Sequence, residues 1–190
     1  MPTNTSHLST SAGILETAAH LLAERDANMG EIAAAAGVGR ATLYRHYPTR
    51  DALLLALATQ ALDELATRIA DAGLDRATVP QAIERLARAF VTVADRYIIL
   101  VRERVKPPQK EVERRLRQPM LAVFERGVAD GTLRTDLPAA AQLQLFASLV
   151  TGALQSGLQR EFGLEQATTM LASYFLEGAR QGAPQAKHTN

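Results

Sequence analysis

The chain has 190 residues, 47% of them hydrophobic, and its 21 basic and 20 acidic side chains leave a formal net charge of +1 at neutral pH. That length accommodates one domain, or a small and a larger one, and the absence of cysteine excludes disulfides and cysteine-ligated metal sites. No secretory signal and no apolar stretch long enough for a membrane span is evident, so a cytoplasmic protein without membrane partners is expected.

The first predicted elements are a helix around residues 14–18 and a short helix that begins after Asn28. Asn28 suits the N-cap position, and Glu31, three residues later, can reach back to complete a capping box. The short helix continues over residues 32–36. Gly37 follows it, and glycine tolerates the left-handed backbone that ends a helix sharply. The pattern predicts a helix and a tight turn.

Another short helix is predicted over residues 40–47, and Pro48 ends it because proline disfavours helical backbone at the preceding residue. At about 100° per residue, Leu43 faces the core while Ala41 and Arg45 lie on the opposite side. The layout is that of a helix-turn-helix, whose second helix enters the major groove of DNA. The alternative is an ordinary helical hairpin with a solvated arginine face.

The outward side of this helix carries groups suited to DNA. Arginine binds guanine O6 and N7 bidentately and alanine contacts the thymine methyl, so Arg45 and Ala41 are candidates for base contacts. The hydroxyls of Thr42 and Tyr44 suit phosphate oxygens. Arg50 lies beyond the helix and could contact the phosphate backbone of the DNA. No carboxylate occurs between Glu31 and Asp51, so the local charge favours a polyanion.

The segment resembles the DNA-binding domain of the TetR family of transcriptional regulators. The matching residues are Ile32-Ala33, Ala36-Gly37-Val38, Thr42-Leu43-Tyr44, His46-Tyr47-Pro48 and Arg50-Asp51-Ala52-Leu53, with Ile14 to Ala18 matching the first helix of the family. The DNA-facing positions that this resemblance implies are Arg40, Ala41, Thr42, Tyr44, Arg45, His46 and Arg50. His46 could meet a phosphate or pack between helices. The chain has Gly39 where the family usually has serine.

Further helices are predicted along the rest of the chain. They span residues 51–72, 80–97, 98–101, 109–130, 139–161 and 164–181. In the fourth of these, Glu111 with Arg115 and Glu113 with Arg117 form i,i+4 pairs. The last two helices have apolar residues around too much of their circumference for one core. We therefore expect them to form a four-helix bundle with a second copy, as in the family, although burial within a monomer is the alternative.

The resemblance also implies a small-molecule effector that binds among the middle helices. The candidate lining residues are Phe90, Tyr97, Phe124 and Phe146; the alternative, which such residues follow more often, is that each is part of the core. The four histidines lack metal-ligand spacing, and neither a phosphate-binding glycine loop nor a nucleophile elbow is present. We expect no metal, no cofactor and no catalytic residue, and the protein is not expected to be an enzyme.

The sequence as a whole predicts an all-α protein. Residues 1–52 form an N-terminal three-helix helix-turn-helix DNA-binding domain, and residues 53–190 form a C-terminal helical ligand-binding and dimerisation domain. The function expected from the resemblance is a homodimeric repressor that a small molecule releases from a palindromic double-stranded DNA operator. The alternative is a helical small-molecule carrier or adaptor that has lost DNA binding.

Overall fold

The computed structural model describes residues 5–105 and 108–180, and every regular element in these residues is helical. The helices are α1 (Thr5–Glu24), α2 (Met29–Ala35), α3 (Arg40–His46), α4 (Arg50–Asp71), α5 (Val79–Thr92), α6 (Ala94–Arg102), α7 (Gln109–Val112), α8 (Gln118–Ala129), α9 (Ala139–Gln155) and α10 (Leu158–Ala179). A π-helical turn, Glu113–Arg117, joins α7 to α8. The all-α prediction is confirmed.

The chain divides into two compact units. The first combines the residues up to Glu64 with Val93–Gln109, and the second combines Leu65–Thr92 with the residues from Lys110 onwards. The second unit therefore precedes and follows the segment Val93–Gln109 in the chain. The expected functional boundary at residue 52 lies inside the first unit, in helix α4.

The first unit has a core to which five helices contribute. Its most buried side chains, all at most 1% exposed, are Ile14 and Leu22 of α1, Ile32 of α2, Leu43 of α3, Leu53 and Leu57 of α4, and Ile99 of α6. Burial of each such side chain contributes about 1.5–3 kcal/mol relative to exposure. The short helices α2 and α3 are too short to be stable alone, so they depend on this packing.

Helix α2 begins with the predicted capping box. Asn28 Oδ1 accepts from the backbone N–H of Gly30 at 2.9 Å and of Glu31 at 3.1 Å. In return, the Asn28 backbone N–H donates to Glu31 Oε2 at 2.8 Å. This hydrogen bond, followed by the one from Arg25, holds the pKa of Glu31 below its ordinary value. The stabilisation of the folded protein by ionised Glu31 is therefore fully present above the ordinary pKa of the carboxyl, and it is lost as the pH falls through the lowered pKa.

The second unit has an aromatic cluster in its core. Phe124 of α8, Phe146 of α9 and Phe175 of α10 have ring centroids 5.2–5.8 Å apart in tilted or edge-to-face arrangements. The first two rings are fully buried. Such pairs favour edge contacts because the ring faces are negative and the edges positive. The cluster thus holds three helices together.

A proline causes the π-helical turn before α8. Pro119 has no N–H, and its ring would clash with the carbonyl of Arg115 in an α-helix. The helix widens instead, so that the Gln118 N–H donates to Glu113 O, five residues back. Glu111 of the same segment binds Arg114 at 2.7 Å. The predicted Glu113–Arg117 pair is present at 3.1 Å.

Two helix boundaries differ from the predicted ones, and a third agrees with its prediction. A break at Val93 separates α5 from α6, where the sequence has neither glycine nor proline and predicted a helix to residue 97. Helix α9 ends at Gln155, and Gly157 adopts a φ of +80°. The prediction that this helix continued to residue 161 was therefore wrong. The predicted break before residue 164 corresponds to a kink at Gly163, with φ +77°.

The capping box of α2 is tested by changing Asn28→Ala. We expect the free energy of unfolding at neutral pH to fall by about 1 kcal/mol, because two backbone N–H groups lose their acceptor. Urea denaturation followed by circular dichroism measures this. Asn28→Ser retains an acceptor and serves as the matched control. Equal stability of the alanine variant and the native chain would contradict the role assigned to Asn28.

The aromatic cluster is tested by changing Phe146→Ala. We expect a loss of about 3–5 kcal/mol in the free energy of unfolding, because a fully buried ring leaves a cavity. Phe146→Leu retains most of the volume and should cost less than about 1.5 kcal/mol. A loss below about 1 kcal/mol for the alanine variant would identify Phe146 as a pocket wall instead of core.

Candidate nucleic-acid interface

The orientation of α3 is determined by one buried side chain. Leu43 is fully buried in the core of the first unit. Ala41 and Arg45, on the opposite side of the helix, are exposed, and Tyr44 is 46% exposed. The helix therefore presents a small side chain, an arginine and a phenol to the solvent. The predicted faces of α3 agree with these positions.

The turn between α2 and α3 sets the angle between the two helices. Gly37 has a φ of +65°, which a residue with a Cβ atom adopts only with strain. The Val38 N–H donates to Ala33 O at 3.0 Å, so the chain folds back over the end of α2. Gly39 is the N-cap residue of α3 and offers no side-chain hydrogen bond to the helix.

The end of α3 is joined to α1 by a hydrogen bond. The ring of Tyr47 is buried, and its hydroxyl lies 2.6 Å from Ser11 Oγ. This contact joins residues 36 positions apart and limits the movement of α3 relative to α1. His46, the preceding residue, is half-buried, with its ring centroid 6.3 Å from that of Tyr47. Thr42 is also half-buried.

Three of the predicted DNA-facing residues line one groove of about 580 Å³. They are Arg40 and Tyr44 of α3 and Arg50 at the start of α4. Asp26 and Glu103 line the same groove, so it contains both signs of charge. Ala41, Thr42, Arg45 and His46 are not among its lining residues. The predicted DNA-facing positions therefore occupy two places, the outward side of α3 and this groove.

The arginines at this surface differ in their partners. Arg40 lies across α2, where a Cβ atom at Gly30 would be 2.8 Å from its Nη2. The guanidinium groups of Arg40 and Arg45 have no hydrogen bond or ion pair with any residue that the structure describes. Both exposed guanidinium groups are therefore available to a polyanion.

Arg50 has three partners within the first unit. Its Nη1 donates to the backbone carbonyl of Ala27, and its Nη2 contacts Asp26 Oδ1 at 2.9 Å and Glu103 Oε1 at 3.4 Å. Neither of these acidic residues was predicted to lie at this surface. Asp26 lies beside the motif in the sequence, so its charge was visible. Glu103 lies 53 residues from Arg50, and no local pattern indicates their contact.

The four candidate effector-binding residues are distributed over both units. Phe124 and Phe146 are fully buried in the aromatic cluster, and Phe90 on α5 is 5% exposed. These three belong to the second unit, whereas the half-buried Tyr97 on α6 belongs to the first. The described residues contain no cluster of three or more side chains suited to a metal. No helix among them is long and apolar enough to cross a membrane.

Comparison with protein families gives a match over the N-terminal helices. The model described as bacterial regulatory proteins, tetR family, matches residues 14–57. The HTH-type transcriptional regulator NfxB of Pseudomonas aeruginosa is 31% identical over 162 residues, which are 83% of this chain and 87% of NfxB. The HTH-type transcriptional repressor LfrR of Mycolicibacterium smegmatis is 45% identical over 69 residues, 36% of this chain and 34% of LfrR.

Solved structures share the fold over nearly the whole chain. LfrR from Mycobacterium smegmatis in complex with proflavine has a TM-score of 0.73 and 23% identity, covering 92% of this chain and 99% of its own. AibR in complex with isovaleryl coenzyme A and operator DNA has a TM-score of 0.69 and 20% identity, covering 87% and 97%. At these identities the likeness concerns the fold alone.

Proposed function

The chain belongs to the TetR family of bacterial regulatory proteins, and we propose that it is a homodimeric repressor released from a palindromic operator by a small molecule. As a member of this family it is a DNA-binding transcriptional regulator and not an enzyme. The observation that carries the proposal is the outward side of α3, where Ala41 and Arg45 are exposed opposite the buried Leu43. We also propose that the protein acts in the cytoplasm.

Each DNA-facing side chain has a proposed role. Arg45 and Ala41 contact base edges in the major groove, because guanidinium and methyl groups complement guanine and thymine. Thr42 and Tyr44 contact phosphates, and Arg50 does so after it leaves its present partners. Arg40, which has no ion pair among the described residues, lines the same groove as Tyr44 and adds a further positive charge there. His46 lies at the edge of this surface.

A second copy of the chain is the proposed partner of α9 and α10. Most of the exposed large hydrophobic residues of the described chain are on these helices: Leu145, Phe162, Leu164, Met170 and Tyr174. An apolar groove of about 260 Å³ runs beside Leu145 and Tyr174, the latter 74% exposed. Burial of this surface in a two-fold dimer removes it from water. Two-fold symmetry also gives two copies of α3 for the two half-sites of a palindrome.

The effector is proposed to act by binding better to a conformation that does not fit the operator. The solved structure of LfrR is a complex with proflavine and that of AibR is a complex with isovaleryl coenzyme A, two ligands that are chemically unlike each other. For this chain we propose an effector site within the second unit that includes Phe90 of α5. At Phe124 and Phe146 a ligand would first have to separate the clustered rings.

The alternative, a helical carrier or adaptor without DNA binding, is favoured by one observation. Gly39 leaves the N-terminus of α3 without a side-chain cap, so a hydroxyl that could serve the helix or a phosphate is missing. Fluorescence anisotropy on DNA from upstream of the gene, over a salt series and against random DNA, separates the two functions. Tight, salt-sensitive and selective binding supports the regulator. Ligand binding without any DNA affinity at low salt supports the carrier.

The base-contacting role of Arg45 is tested by Arg45→Ala. We expect the variant to lose about 1–3 kcal/mol of operator affinity and to discriminate less between operator and random DNA. Arg76→Ala, which removes an equal charge from an exposed loop of the second unit, serves as the control. Equal losses on operator and random DNA would contradict base contact by Arg45 and would indicate a phosphate contact.

The dimer surface is tested by Leu145→Glu. A carboxylate buried without a partner is costly, so we expect the dimer dissociation constant to rise by at least about 100-fold. Sedimentation equilibrium measures this constant. Leu55→Glu places the same charge at an exposed leucine of α4 and should leave it unchanged. A dimer of native strength in the Leu145 variant would show that this side chain lies outside the interface.

A further inference from the structure

The groove at the start of α4 holds two carboxylates against Arg50. Arg50 has one positive charge, and two carboxylates lie within hydrogen-bonding or ion-pairing distance of its Nη2. The third contact, to the carbonyl of Ala27, uses Nη1. The guanidinium thus has its donors directed at protein acceptors, and a phosphate can bind Arg50 only after some of these contacts break.

The two carboxylates are not equivalent. The side chain of Asp26 is 87% exposed, whereas that of Glu103 is 20% exposed and that of Arg50 is 30% exposed. Water and salt therefore screen the attraction between Asp26 and Arg50 more strongly than that between Glu103 and Arg50. Of the two carboxylates, Glu103 is therefore the less screened partner of Arg50, although its contact distance is longer.

Glu103 is held in place by its own segment. The neighbouring Arg102 donates from Nη2 to Leu22 O of α1 at 2.6 Å and also contacts Glu103 Oε1 at 3.3 Å. The Glu103 backbone N–H donates to Ile99 O at 2.8 Å, and Ile99 is fully buried in the core of the first unit. When Arg50 leaves, Arg102 continues to neutralise Glu103, so the exchange does not strand a negative charge.

We propose that Glu103 limits the affinity of this protein for DNA by competing with a backbone phosphate for Arg50. This inference rests on the proposed DNA-binding function. The groove that holds the Arg50–Glu103 pair also contains Arg40 and Tyr44, which surround the position that a phosphate would take.

The test is a double-mutant cycle on the full chain with operator and random DNA. Glu103→Gln keeps the shape of the side chain and removes its charge. We expect binding to both DNAs to become about threefold to fivefold tighter, the value of one partly exposed ion pair. In an Arg50→Gln background the same change should have no such effect, because the guanidinium for which Glu103 and the phosphate compete is absent.

The matched control is Asp51→Asn, which removes an exposed carboxylate from the first turn of α4. Its effect on DNA affinity measures the general electrostatic gain from losing one negative charge and should be the same with or without Arg50. Circular dichroism melting of all variants reports whether they fold. The coupling between positions 50 and 103 then isolates the competition from general charge effects.

Each outcome decides the proposal. Tighter binding by Glu103→Gln that depends on Arg50 supports it. Weaker binding would show that Glu103 positions Arg50 for DNA, and an effect equal to that of Asp51→Asn in both backgrounds would reduce Glu103 to a general charge; either overturns the competition. If the native chain binds DNA and the cycle is additive, only this inference fails. If no variant binds any DNA at low salt, the proposed function fails with it.

Discussion

The burial of Leu43 is the constraint on which the DNA-facing surface depends. Helix α3 is only seven residues long and is not stable by itself in water, so its rotation is decided by Leu43, the one residue of this helix that is buried in the core of the first unit. Once Leu43 lies in the core, helical geometry directs Ala41 and Arg45 outward. The positive φ of Gly37 and the hydroxyl contact between Tyr47 and Ser11 then hold the two ends of the motif.

The charges of this surface are organised by contacts between distant parts of the chain. Three arginines that are alike in the sequence have different environments: Arg40 and Arg45 lack partners among the described residues, whereas Arg50 binds a carbonyl and two carboxylates. An unpaired guanidinium gives its full charge to the field of the protein, and a paired one gives only what its partners leave. The pairing of Arg50 makes affinity for a polyanion adjustable without altering the residues that face the bases.

The second unit combines a packed interior with an apolar exterior. Phe124 and Phe146, which were candidates for lining a ligand pocket, pack against each other and against Phe175 in the aromatic cluster. Outside it, exposed side chains such as Leu145 and Tyr174 cover parts of α9 and α10. An exposed apolar surface of this extent is typical of a site that another protein surface covers. The proposed dimer accounts for the exposed apolar face, and it leaves the densely packed interior of the unit unchanged.

Local patterns in the sequence were sufficient for the helix-turn-helix, because its determinants act within a few residues: the capping box at Asn28, the turn at Gly37 and the 100° spacing around Leu43. The break at Val93, where neither glycine nor proline is present, was not predicted. The widening that Pro119 causes within residues 109–130 was not predicted either. Contacts such as Arg50 with Glu103 depend on how helices far apart in the chain pack. Short-range periodicity determines which side of a helix is apolar, and only the tertiary structure decides which distant group meets each polar side chain.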